Sequence, residues 1–110
     1  MYKYFKDSEI QGLKPELISM LDQAREIAKI PFIITSGVRT LQECIRLDGI
    51  TNSAHITGDA VDLRCRTSED RFKIVNALLK AGFSRIGIKY NHIHADIDKT
   101  KKQCVLWLEA

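Results

Sequence analysis

The stretch Ser53-Ala54-His55-Ile56-Thr57-Gly58-Asp59-Ala60-Val61-Asp62 constrains the fold more than any other part of the chain. An imidazole and a carboxylate stand seven residues apart, and Gly58 between them lets the backbone turn before it enters Ala60–Cys65, a run that reads as a β-strand. Successive strand side chains point to opposite faces, so Ala60, Asp62 and Arg64 share one face and Val61, Leu63 and Cys65 the other. The segment Asn91-His92-Ile93-His94-Ala95-Asp96-Ile97 divides in the same way, with Ile93, Ala95 and Ile97 on an apolar face and His92, His94 and Asp96 on a polar one. Two such strands ask for a sheet with one face on a core and the other free for chemistry. As neighbours they would bring Asp62 and His94 together, with His55 reaching in from the loop above.

One His and one Asp make up two thirds of a catalytic zinc site, which takes three protein ligands and leaves a fourth position for water or substrate. The missing third is offered by the segment around His94. Any single His is readily an ordinary polar residue, but all three His of the chain fall inside these two segments.

The Ser-x-His-x-x-Gly-x-Ala-x-Asp pattern followed by His-x-His resembles the zinc peptidases of the D-Ala-D-Ala carboxypeptidase family M15, a group related to lysostaphin-type enzymes and the hedgehog signalling domain. Ser36-Gly37-Val38-Arg39-Thr40 is similar to the family's Ser-Gly-x-Arg segment, so the resemblance runs from Thr35 to Ile97. It implies His55, Asp62 and His94 as ligands of one Zn2+ ion, and bacterial cell-wall peptidoglycan stem peptides as the substrate. It also implies hydrolysis of a peptide bond by metal-activated water, of D-Ala-D-Ala carboxypeptidase or murein endopeptidase type. Where some members carry Glu-x-x-His, this chain has Asn91 three residues before His94. The general base is therefore left open, and a non-catalytic, zinc-containing wall-peptide binding module stands as the alternative function. A purely structural zinc site is usually closed by four ligands and rich in cysteine, and this one is neither.

Three further residues compete for roles around the ion. His92 shares a strand face with His94 and is the first candidate for the catalytic acid/base or a transition-state donor. Asp96 is the second candidate, with orientation of an imidazole as its preferred part. Arg39, in a loop directly after a strand, is assigned catalytic and substrate-binding parts: its planar fork can hold a substrate carboxylate or the oxyanion of amide attack, against a surface ion pair. Ser53 either hydrogen-bonds a substrate backbone or caps the turn around His55.

A chain of 110 residues is expected to be one domain, with residues 1–13 as an N-terminal arm. At that size it buries about two thirds of its unfolded surface, enough for a core without disulfides. The three cysteines, Cys44, Cys65 and Cys104, are odd in number and widely spaced, which favours free thiols. The net charge of +3 is mild, compatible with an anionic polymer such as a bacterial wall but of little weight, and no basic run with interleaved aromatics argues for nucleic acid as a partner. No signal-peptide h-region opens the chain, and no apolar run approaches the ~20 residues of a membrane span. Synthesis in the cytoplasm, action on the wall after release or export in a phage or prophage endolysin context, no membrane insertion and a monomeric state are the expectations.

Pro15 at a first helical position, with Leu17, Leu21, Ala24 and Ala28 in one stripe, predicts a helix. Ile30–Thr35 reads as a buried strand opening at its proline, and Thr40 caps a short helix through Leu47 that Gly49 ends. Residues 48–57 form the loop that delivers His55. Ser68 caps a helix from Glu69 to Ala81 with Phe72, Val75, Leu78 and Leu79 inward and Gly82 as the stop. Strands over 83–90, 92–97 and 103–108 complete an α+β domain: a mainly antiparallel sheet with two or three helices on one face and the site on the other, hedgehog/D-Ala-D-Ala-peptidase-like.

Overall fold

A computed structural model describes residues 2–48 and 53–109, apart from the side chains at positions 41, 44, 47 and 48. Elements follow in the order α1 (Pro15–Ala28), β1 (Ile34–Ser36), α2 (Leu41–Asp48), β2 (Ala60–Arg64), α3 (Ser68–Lys80), β3 (Arg85–Ile88), β4 (His92–Asp96) and β5 (Val105–Leu108). The five strands lie in one sheet, ordered β1-β2-β4-β3-β5. Three pairings are antiparallel; β5 runs parallel to β3 at the edge. Among the described residues no helix is long and apolar enough to cross a membrane.

The predicted alternation decides which face is core. Val61, Leu63, Cys65, Ile93 and Ala95 are buried together with Ile86, Leu17, Leu21, Ile74 and Leu78 in one cluster. Each Leu or Ile shut away in this manner contributes about 2 kcal/mol. Helix α1 opens on Pro15, whose missing N–H would have no helical partner there in any case. It packs on α3 with the predicted stripe, Ile18 added.

Several expectations need correction. The α3 N-cap is Thr67, whose hydroxyl accepts from Asp70 N–H, one residue before the expected Ser68. The core face of α3 is Ile74, Ala77 and Leu78, while Phe72 and Leu79 are 74% and 53% exposed. Both stripes have helical spacing and share Leu78; the position of α1, a long-range fact, selects between them. Strand β1 is the short run Ile34–Ser36, partly exposed with Thr35 outward rather than buried, and its pairing with β2 shifts register between Ile34 and Ser36. The N-terminal segment is less an arm than a strap, with Phe5, Ile10 and Leu13 in the core.

That strap braces the loop that matters. Gly58 has φ +78° and lies so close to Gly12 that a Cβ on it would clash with the Gly12 carbonyl oxygen. Lys14 N–H donates to the Gly58 carbonyl, and Lys14 Nζ pairs with the buried Asp59 at 2.9 Å. At α2, Thr40 and Glu43 exchange reciprocal side-chain-to-backbone bonds, a capping box that confirms Thr40 as the cap. The predicted stop at Gly49 lies outside the described residues. Cys65 is a buried free thiol and Cys104 an exposed one.

Candidate metal centre

The register of β2 against β4 sets Asp62 directly opposite His94. His55 comes from the braced turn before β2, and its backbone is held twice: its N–H donates to Ser53 Oγ at 3.2 Å, and its carbonyl accepts from Arg39 N–H at 3.1 Å. Of the alternatives open for Ser53, this geometry is the turn-capping one. His55 Nε2 lies 3.4 Å from Asp62 Oδ1, and His94 Nδ1 lies 3.1 Å from the same oxygen. The two rings meet edge to face with centroids 5.2 Å apart. One ligand atom from each of His55, Asp62 and His94 falls within 4.8 Å of the others, so the three side chains can share a metal ion.

The remaining bonds decide which atoms point inward. His55 Nδ1 is 2.7 Å from the Gly37 carbonyl, which can only accept, so Nδ1 carries the proton and Nε2 presents a lone pair. His94 Nε2 is 2.7 Å from Asp96 Oδ2, so it donates there and Nδ1 presents its lone pair. Two imidazole lone pairs and a carboxylate oxygen then converge with no donor between them. Such an arrangement repels itself until a cation or a proton occupies the middle. A zinc ion fits this donor set, since neutral imidazole nitrogens and a carboxylate oxygen are its ordinary ligands.

The electrostatics describe the same demand. Burial opposes charge on Asp62, yet the adjacent His55 and His94 imidazoles outweigh it and hold the carboxyl well below the usual range. Burial likewise opposes charge on His94, but its bonds to Asp62 and Asp96 win and raise it to about 9. Without a cation at the centre, a proton on His94 meets this demand.

Arg39 is drawn into the centre rather than lying on the surface. Its Nη2 donates to Asp62 Oδ2 at 3.1 Å, its Nε to Ser36 Oγ at 2.7 Å, and its side chain is 12% exposed. This leaves Asp62 Oδ1 for the centre. Asp96 takes the orienting part: Oδ2 holds His94, while Oδ1 accepts from Arg85 Nε at 2.8 Å and from Asp98 N–H at 3.0 Å. His92 stands apart from the three ligand candidates, its Nε2 2.7 Å from Glu109 Oε1. Sequence reasoning passed over Arg85, Gly87, Trp107 and Glu109. Gly87 pairs with His94 and with Trp107, whose ring lies 5.5 Å from the His94 ring. The one available signal was the period-two spacing of Trp107 and Glu109.

A set of two His and one Asp resembles the three-ligand sets of catalytic zinc sites rather than the four-ligand sets of structural ones. The model of the Peptidase M15 family matches residues 4–98, and the chain belongs to that family. It is similar to the L-alanyl-D-glutamate peptidase of Escherichia phage T5, 35% identical over an alignment of 71 residues that covers 56% of this chain. The match spans about half of the phage protein, 52% of its length. The crystal structure of the L-Ala D-Glu endopeptidase ChiX of Serratia marcescens shares the fold, with a TM-score of 0.67 over 88% of this chain and 90% of that one at 19% identity.

Proposed function

We propose that this chain is a zinc-dependent peptidase that cuts peptidoglycan stem peptides, with the L-Ala–D-Glu linkage as the bond hydrolysed and a monomer as the working form. The observation that carries the reading is the convergence of His55 Nε2, Asp62 Oδ1 and His94 Nδ1 without a donor among them. Family membership supports a peptidase, and the names of the phage and Serratia relatives support the linkage.

When bound, zinc supplies polarisation of the scissile carbonyl and acidification of the attacking water. The chain's own residues do the rest. Gly37 and Asp96 hold the two imidazoles in the tautomers that face inward, and Arg39 fixes Asp62 from behind. Because that guanidinium is engaged with Asp62, Arg39 acts on the reaction mainly by positioning the carboxylate. Ser53 still has an O–H to donate and, beside His55, remains our candidate for a contact to the substrate backbone. His92 belongs to the proton-handling part of the site.

Asn91 favours one second reading, a wall-peptide binding module without turnover, because an amide cannot take up the proton that a carboxylate at that position would. Defined stem peptides separate the possibilities. Zinc-loaded protein is expected to release a fragment with a free D-Glu amino terminus, seen by mass spectrometry. Loss of a terminal D-Ala alone would replace the endopeptidase with a carboxypeptidase, and binding of intact peptide without any product would establish the module.

A further inference from the structure

The sheet face that carries the metal centre continues across β3 to β5 and ends on a carboxylate. Gly87 lies opposite His94 and beside Trp107, so the space its missing side chain leaves is on the same face as the ligand candidates. That space is filled from β5. A Cβ on Gly87 would meet Trp107 Cε2 and Nε1 at 2.7 Å and Glu109 Oε2 at 2.8 Å. Opposed Cβ positions in an antiparallel pair are about 5 Å apart, so Glu109 Oε2 lies within about 8 Å of the His94 Cβ. That bound puts the carboxylate oxygen on the face of the ligand candidates, next to the Trp107 ring that lies 5.5 Å from the His94 ring.

Glu109 is held in this position from two sides. Its N–H donates to the Ile88 carbonyl at 2.8 Å, which carries the β5 ladder one residue further and aims the side chain at the site face. Its Oε1 is tied to His92 Nε2 at 2.7 Å, with side chains 27% and 20% exposed. The other carboxylates of this face are committed: Asp62 to Arg39 and the two His, and Asp96 to His94, Arg85 and Asp98. Among the described residues nothing donates to Glu109 Oε2.

Resting on the peptidase reading above, we propose that Glu109 is the catalytic proton carrier, with His92 as its positioning residue. As the water oxygen bonds to the scissile carbonyl carbon, the broken O–H gives its proton to Glu109 Oε2. When the C–N bond then breaks, the same proton passes to the leaving nitrogen, and the carboxylate is restored alongside a free amine and a free acid. A carboxylate at the end of β5 thereby performs the task for which Asn91 is unsuited. His92 keeps Oε1 occupied so that Oε2 faces the reaction.

The test uses the full chain loaded with zinc and a stem peptide that the wild-type protein cleaves. Glu109→Gln keeps the shape and removes the proton acceptor. It is expected to bind one zinc and the intact peptide with wild-type affinities while kcat falls about 10²-fold or more, the scale of a lost acid/base. Glu109→Ala is expected to regain part of its rate with added formate, which a merely structural carboxylate would not allow. A Glu109→Gln kcat within threefold of wild type overturns the assignment, as does loss of zinc in both variants. If the zinc-loaded wild-type protein itself releases no fragment, the peptidase reading fails, and the role of Glu109 with it.

Discussion

Replacing Asp96 by asparagine separates charge from shape at the back of the metal centre. The carboxylate uses both oxygens, Oδ2 for His94 Nε2 at 2.7 Å and Oδ1 for Arg85 Nε and Asp98 N–H at 2.8 and 3.0 Å. Asparagine has one oxygen. If that oxygen faces His94, its NH2 meets two donors; if it stays with Arg85 and Asp98, its NH2 donates toward His94 instead. The second arrangement loses fewer bonds, and it forces the His94 ring proton onto Nδ1, the atom the metal needs. The expected result is a zinc affinity weaker by about 10- to 100-fold, the range for losing a partner that orients a metal-bound His. Stability also falls, because Arg85 is 12% exposed and loses its counter-charge. Breaking a buried pair costs about 3–5 kcal/mol. Here Arg85 keeps its bond to the Lys102 carbonyl and its stacking on Trp107, so about 2–3 kcal/mol is expected. Competition with a chromophoric chelator measures the first quantity, and urea unfolding of the metal-free proteins the second. Zinc affinity within twofold of wild type would refute the tautomer reasoning.

Gly58→Ala should lose about 2 kcal/mol or more in denaturant unfolding, since a left-handed residue would also drive a Cβ into the Gly12 carbonyl; wild-type stability would mean that the strap does not brace the loop. Arg39→Ala should bind zinc more weakly and lose turnover in step with metal occupancy, because the guanidinium acts on Asp62; unchanged affinity with lower kcat would instead make Arg39 a substrate contact. For pH, the His94 imidazole is raised from 6.5 to about 9 in the metal-free protein. Its contribution, at most about 3 kcal/mol, is then complete below pH 6.5 and lost as pH rises through 9. Zinc replaces that proton, so metal affinity should weaken about tenfold per pH unit below 9. Metal-free stability that stays flat between pH 6.5 and 9 would contradict this.

Strands β2 and β4 were legible in the sequence because each carries its own evidence: a period-two alternation needs no partner to be read. The same alternation placed Asp62 and His94 on one face, and the register then set them opposite each other. Helix α1 was legible through Pro15 and a single stripe. In α3 two stripes fit the period, and only the contact with α1 buries Ile74 and exposes Phe72. The strap could not be read, since Phe5, Ile10 and Leu13 follow no period and owe their burial to distant neighbours. Glu109 and Arg85 escaped notice for a related reason. Their place beside His92 and Asp96 depends on β5 crossing to lie parallel to β3, a sheet order that no local pattern encodes.

The most direct measurement is digestion of purified murein by protein carrying one zinc per chain, with and without chelator, and with released peptides identified by mass. Fragments that appear with zinc, vanish with chelator and return on adding zinc back are the predicted result. Zinc-loaded protein that leaves murein intact, or fragments that persist without metal, would contradict a zinc peptidase built on His55, Asp62 and His94.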